Sequence, residues 1–284
     1  MNNHEFRKYE DSNLKIDEDR VLTYSNIACP LDCTYCFSNE IIRGHENEEG
    51  IYLSEEQFDL LEQLPPEITT IMLGCDTEFL QDKRQALQVL ERLSTTGKDI
   101  SVITKLPASD EFISNLADIN TTLKTNGNIL TFSVSLACTD LKDKWEPRVP
   151  SVESRIDTLR RVSEAGIDAM LAIRPLLPDV SKSEFDEIIE KTKDYVFGYY
   201  SGPLYLKDLN EDTITAESLI SLGCTVSEEA EEVQWMPEGN KFLKIETPEL
   251  RAYLRNRVEQ SGKILFEGAA DGMNYLKRSQ NAQY

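Results

Sequence analysis

Short runs of β-branched and aliphatic residues alternate along this chain with longer stretches whose apolar positions recur every three or four residues. That alternation predicts parallel strands joined by amphipathic helices. Val21 to Tyr24 reads as a first strand. Ser54, with Gln57 three residues on, marks a capping box for a helix burying Phe58 and Leu61, and Pro65-Pro66 ends it. Ile68 to Leu73 forms a second strand, after which Asp82 and Gln85 open a helix with Leu87, Leu90 and Leu93 on one face, closed by Gly97. Ile100 to Ile103 is a third strand, followed after Pro107 by a short helix capped by Ser109. Ile129 to Leu136 is a fourth, and Ser151 opens a helix carrying Ile156, Leu159 and Val162 that stops at Gly166. Ile167 to Ile173, a helix from Ser183 to about Lys193, and Tyr195 to Tyr200 complete six strand and helix units in about 200 residues. The expected fold is α/β, a partial (β/α)6 barrel of TIM type, with its functional end at the strand C-termini where the loops converge.

Beyond about residue 210 the texture changes. Glu228 to Glu232 is acid-rich, Val233 to Met236, Phe242 to Ile245 and Ile264 to Phe266 read as short strands, and Thr247-Pro248 begins a helix. The expected organisation is an N-terminal segment over 1–19, a barrel over 20–209 and a small α+β extension over 210–284. No fixed-period repeat is present, and the tail from Lys277 to Tyr284 is expected to be loose.

Composition narrows the function. The 284 residues are enough for a substantial core, and 40% hydrophobic with 29% charged residues argues against disorder. No apolar run approaches a membrane span, and the polar start of the chain has no signal-peptide stretch, so a cytoplasmic protein without membrane contact is expected. The 30 Lys and Arg against 51 Asp and Glu leave a formal charge of −21, which disfavours tight non-specific binding to DNA without excluding a local basic groove.

Three of the six cysteines fall within eight residues, in Cys29-Pro30-Leu31-Asp32-Cys33-Thr34-Tyr35-Cys36, on the loop leaving the first strand. This points to metal rather than to a disulfide framework. Zinc would want a fourth ligand, and the nearest candidate, His45, sits in a charged loop with no partner. A four-iron cubane takes four ligands, of which three are supplied here, leaving one iron for a non-protein ligand.

The CxxxCxxC loop after the first strand of a (β/α)6 pattern resembles the radical S-adenosylmethionine (SAM) superfamily. The resemblance implies that Cys29, Cys33 and Cys36 hold a 4Fe-4S cluster whose fourth iron is chelated by SAM, and that a reducing protein such as flavodoxin or ferredoxin supplies the electron. Gly74 to Phe79, Val102 to Lys105, Phe132 to Leu136, Glu146 to Pro150 and the stretch from Arg155 to Gly166 are similar to the spore photoproduct lyase branch, often called DNA repair photolyases. Carried over, Tyr35 and Phe37 match the aromatic position near the adenine. The family's second-strand Gly-Gly-Glu is replaced here by Gly74 through Glu78, which offers Asp76 or Glu78 to the methionyl amine. Lys105 is placed for the methionyl carboxylate, Ser133 or Ser135 for the ribose or carboxylate, and Arg174 for a carboxylate or for an ion pair with Glu146 or Asp179. Cys138, and after it Cys75, follow strands at the mouth and are candidate hydrogen donors.

Three readings compete. The first is a radical SAM enzyme that makes a 5′-deoxyadenosyl radical to abstract hydrogen from a peptide, nucleotide or small molecule. The second is repair of a DNA lesion, which the net charge disfavours. The third is a metal-binding or interaction protein without activity, which the complete cysteine trio opposes.

Overall fold

The computed structural model describes residues 3–41, 50–209 and 216–281, so His45 lies outside the described residues. In chain order the elements begin with α1 (Asn3–Asp11), β1 (Leu14–Asp17), β2 (Arg20–Thr23), α2 (Glu55–Glu62), β3 (Thr70–Leu73), α3 (Lys83–Leu93), β4 (Asp99–Thr104) and α4 (Asp110–Thr125). They continue with β5 (Leu130–Ser135), α5 (Lys142–Trp145), α6 (Val152–Glu164), β6 (Asp168–Ile173), α7 (Lys182–Thr192) and β7 (Gly198–Ser201). The C-terminal part holds β8 (Leu204–Leu206), α8 (Ala216–Ser221), β9 (Thr225–Val226), β10 (Glu231–Glu232), β11 (Lys241–Glu246), α9 (Pro248–Gln260), β12 (Ile264–Phe266) and α10 (Ala269–Asn281).

One eight-stranded sheet runs β1-β2-β3-β4-β5-β6-β7-β12, with β1 antiparallel to β2 and every later pair parallel. The six strands expected from the sequence are therefore present and in order, as a partial (β/α)6 barrel requires. Their helices start where the side chains can cap them. Ser54 forms the capping box of α2, Asp82 accepts from the Gln85 amide at α3, and Ser109 and Ser151 do the same for α4 and α6.

Four local expectations change. The helix after Pro107 is not short: α4 runs 16 residues, because Phe112, Ile113, Leu116, Ile119 and Leu123 form a buried stripe that outweighs its poor helix formers Asn120, Thr121 and Thr122. Val233 to Met236 is a turn, not a strand, and β11 pairs instead with Glu231 and Glu232. Ile264 to Phe266 pairs in parallel with β7 inside the main sheet, α9 forming the crossover. Finally, the tail is helical to Asn281, and Lys277 pairs at 2.6 Å with Asp99 at the start of β4. That pair brings α10 across the barrel interior, where a Cβ on Gly272 would meet the Met170 sulfur at 2.4 Å.

The small antiparallel sheet of β8, β9, β10 and β11 contributes its own apolar cluster, in which Met236 and Phe242 join Leu22 and Tyr24 of the barrel's first strands. It thereby walls the side of the mouth next to the cysteine loop.

Candidate active site

The loops after β2, β3, β4 and β5 converge on one cavity of about 610 Å³, with Cys29, Cys33 and Cys36 in its wall. Three contacts hold the cysteine loop in place. The Thr34 amide donates to the Trp145 carbonyl at 3.0 Å, the Tyr35 hydroxyl donates to Glu146, and the Ser38 hydroxyl donates to the Asp76 carbonyl. The Cys36 amide also donates to the Cys33 carbonyl at 3.0 Å, which tightens the turn between the last two thiols. Burial pushes the Cys33 thiol up to about 12 and raises Cys36 as well, against the opposing pull of Lys105. A thiol so placed stays protonated until a metal takes its proton's place.

Among the described residues no three His, Cys, Asp or Glu side chains converge on a single metal ion. All three thiols line one cavity, and three such ligands suit a cubane, in which each thiolate would bind a different iron. The donor set, three thiols on one tethered loop, fits such a cluster.

Gly74 ends β3 at φ +87°, and a Cβ there would meet the Ile103 carbonyl at 2.6 Å. The backbone of the β3 loop thus lies against β4 as only glycine allows. Gly74→Ala is expected to cost about 1 to 3 kcal/mol, read by thermal denaturation as a melting temperature about 3 to 10 °C lower; an unchanged melting temperature would show that the loop yields freely.

Asp76 is buried in the same wall, and its carboxylate accepts from the Asn26 amide at 2.9 Å and from the Ser25 hydroxyl, so it also ties the cysteine loop to β3. Glu78 lies deeper. Burial raises its carboxyl despite three donors, the Thr104 hydroxyl, the Lys105 amide at 2.8 Å and the Leu80 amide at 2.9 Å. Both of its oxygens accept from the protein, as do both of those of Asp76, and Asp76 is the one of the two acids whose carboxylate touches the cysteine loop.

Lys105 lines the cavity, yet its ammonium already donates to Tyr35 at 2.7 Å, Ser135 at 2.8 Å and Glu146 at 2.6 Å. Glu146 is fully buried and also pairs with the buried Arg155 at 2.7 Å. Burial alone would raise the Glu146 carboxyl, but Lys105 and Arg155 overcome it and hold the group at about 2. This Lys105, Glu146 and Arg155 triad was not legible as a unit, since the sequence offers Glu146 only as a partner for Arg174.

The remaining expected residues divide cleanly. Tyr35, Phe37 and Ser135 line the cavity, and Phe37 packs edge-on against Trp235 with centroids 5.2 Å apart. Ser133 does not: it is fully buried beside Tyr200 in the barrel interior. Cys138 is likewise enclosed in the main core, where burial raises its thiol to about 12, and it is absent from the cavity wall. Cys75 is the thiol that faces the cavity, its Sγ donating to the Met72 carbonyl at 3.4 Å. Arg174 ends β6 in the cavity wall but pairs with neither expected acid, because Glu146 is engaged by the triad and Asp179 by Lys144 and the Trp145 ring nitrogen.

A partial parallel barrel with three thiols on its first loop and a ligand-sized mouth lined by apolar and polar side chains defines a class of cofactor-dependent enzymes. The Radical SAM superfamily model matches residues 25–192, more than half of the chain, and the chain belongs to that superfamily as one of its enzymes. It is 25% identical over 203 residues to the uncharacterized protein MJ0683 of Methanocaldococcus jannaschii, covering 69% of this chain and 75% of that one. Among solved structures it is similar to spore photoproduct lyase complexed with dinucleoside spore photoproduct, at a TM-score of 0.59 and 15% identity, over 84% of this chain and 74% of that one. SuiB of Streptococcus suis bound to S-adenosylmethionine matches at a TM-score of 0.59 and 13% identity, over 92% of this chain but only 52% of that one. No helix among the described residues is long and apolar enough to cross a membrane.

Proposed function

We propose that this chain holds a 4Fe-4S cluster on Cys29, Cys33 and Cys36 and uses it to cleave SAM reductively beside a substrate in the same cavity. The observation that carries the reading is the convergence of those thiols with Gly74, Asp76, Lys105 and Ser135 on one mouth. When bound, the cluster supplies the electron that splits a carbon–sulfur bond of SAM, giving methionine and the 5′-deoxyadenosyl radical. The chain's own groups bind and orient. Asp76 offers a carboxylate to the methionyl ammonium, Gly74 allows close backbone approach, and Tyr35 and Phe37 border the loop on the adenine side. Ser135, whose oxygen accepts from Lys105, keeps its own hydroxyl proton to donate to the methionyl carboxylate. Electron delivery falls to a reducing protein such as flavodoxin or ferredoxin.

For the substrate, a nucleobase lesion has more support than a peptide or metabolite. The fold likeness to a lyase caught with a dinucleoside lesion spans most of both chains, and Phe37, Trp235 and Tyr205 give the cavity aromatic surface on which bases stack. The charge of −21 weighs against long duplex contacts, so a short, lesion-centred footprint is the form this reading takes.

Anaerobically reconstituted protein with SAM and dithionite should form 5′-deoxyadenosine and methionine, and Asp76→Asn should weaken SAM affinity about tenfold or more with iron content unchanged. No 5′-deoxyadenosine would refute SAM cleavage, and unchanged affinity would return Asp76 to the scaffold. Oligonucleotides carrying a thymine dimer or a spore photoproduct then decide the substrate: reversal supports the lesion reading, and inertness toward both, with negligible binding in fluorescence anisotropy, removes it.

A further inference from the structure

Five cationic side chains line the cavity, and four of them are neutralised within the chain. Arg20 pairs with Asp17 at 2.5 Å, Lys105 with Glu146 at 2.6 Å, Lys244 with Glu246 at 2.7 Å and Arg251 with Glu267. Arg174 is the exception: among the described residues no carboxylate lies within ion-pair distance of it, in a protein that carries 51 acids. Its guanidinium is instead confined between Trp235 and Gly202. The Cζ lies 5.1 Å from the centre of the Trp235 ring, and on another side the backbone of Gly202 comes so close that a Cβ there would meet the Arg174 Nε at 2.9 Å. A guanidinium over the face of an aromatic ring is a planar fork whose donors can grip two oxygens at once. Burial works against that charge and lowers the group's proton affinity.

Arg174 follows β6, two strands along the sheet from β4, which Lys105 follows. The cation acting on the Cys33 and Cys36 thiols is Lys105, at the end of β4. Arg174 belongs to the wall made by Tyr200 of β7, Gly202, Tyr205 of β8 and Trp235. We infer that Arg174, held between Trp235 and Gly202, is the anchoring site for a substrate oxyanion, a phosphate ester or a carboxylate carried by a ring-bearing substrate. This rests on the cavity being the shared SAM and substrate chamber, and it assigns Arg174 to the substrate, not to the methionyl carboxylate.

The test uses reconstituted protein, with and without SAM, and calorimetric titration with phenyl phosphate, benzoate and neutral benzyl alcohol. At least one of the two anions should bind at least tenfold more tightly than the alcohol, and the preference between them identifies the oxyanion as phosphate or carboxylate. Arg174→Met should weaken that anion at least tenfold while leaving SAM affinity within twofold. Gly202→Ala, which displaces the guanidinium without removing its charge, should weaken the anion as well, and it keeps the test decisive where Arg174→Met does not fold. Loss of SAM affinity with anion binding intact, equal binding of alcohol and anions, or anion binding unaffected by either variant would overturn the assignment. Because the anion titration is also read without SAM, a failure of SAM binding in every protein would count against the proposed function and leave the Arg174 result legible.

Discussion

Replacing Cys29, Cys33 and Cys36 together by alanine is expected to reduce bound iron and sulfide to background and to abolish 5′-deoxyadenosine formation, while the chain stays folded. The effect should be all or none because on the proposed reading each thiolate would serve a different iron, and no other cysteine is placed to replace it: Cys75 leaves β3 on another loop and Cys138 is enclosed in the core. Folding should survive because the loop is held by Thr34, Tyr35 and Ser38, none of which the substitution touches. Iron and sulfide assays with a circular dichroism melt check both halves. A triple variant that keeps its full iron content would place the cluster elsewhere, and stoichiometric zinc without iron in the anaerobically purified parent would favour the metal-binding reading over the enzyme.

The parts of the molecule that were legible in sequence are those encoded locally. Capping side chains such as Ser54, Asp82 and Ser109, glycine stops and short β-branched runs each report on a few neighbouring residues, and they set six parallel strands in order. The cysteine loop is of the same kind, its three thiols lying within one turn of chain. What escaped depends on distant partners. Nothing local in Ile264 to Phe266 says that it pairs with β7, because the small sheet interrupts the unit between strand and crossover helix. The tail looked polar, yet Lys277 is drawn in by Asp99, 178 residues away in sequence. The serines of β5 illustrate the limit of alternation: Ser133 and Ser135 share a face, but only Ser135 is far enough along the strand to reach the cavity. Likewise Arg174, Lys105 and Glu146 were recognised as charges near the mouth, while which pairs with which is decided by packing. Arg155 settles it by arriving from α6 to take the second oxygen of Glu146.

That buried pairing makes Glu146→Gln the substitution with the largest expected cost in stability. In the native protein Glu146 answers two cations, Lys105 and Arg155, and accepts from the Tyr35 hydroxyl that steadies the cysteine loop. The amide keeps the shape but removes the charge, leaving Arg155, which is fully enclosed and already has two nitrogens without partners, uncompensated in the core. Breaking a buried pair from one side costs about 3 to 5 kcal/mol, and for a chain of this size that lowers the melting temperature by about 10 °C. The pH dependence carries a sign that identifies the cause. Because the folded carboxyl is held at about 2, below its ordinary value near 4.5, its contribution is fully present above the ordinary value and is lost as pH falls toward 2. The parent should therefore lose stability over that acid window more steeply than Glu146→Gln, and the two melting curves should converge as pH falls. Adding Lys105→Met to Glu146→Gln should recover part of the loss, since it removes one of the stranded charges. Parallel acid profiles, or a double variant no better than the single one, would show that Glu146 acts by shape and not by charge.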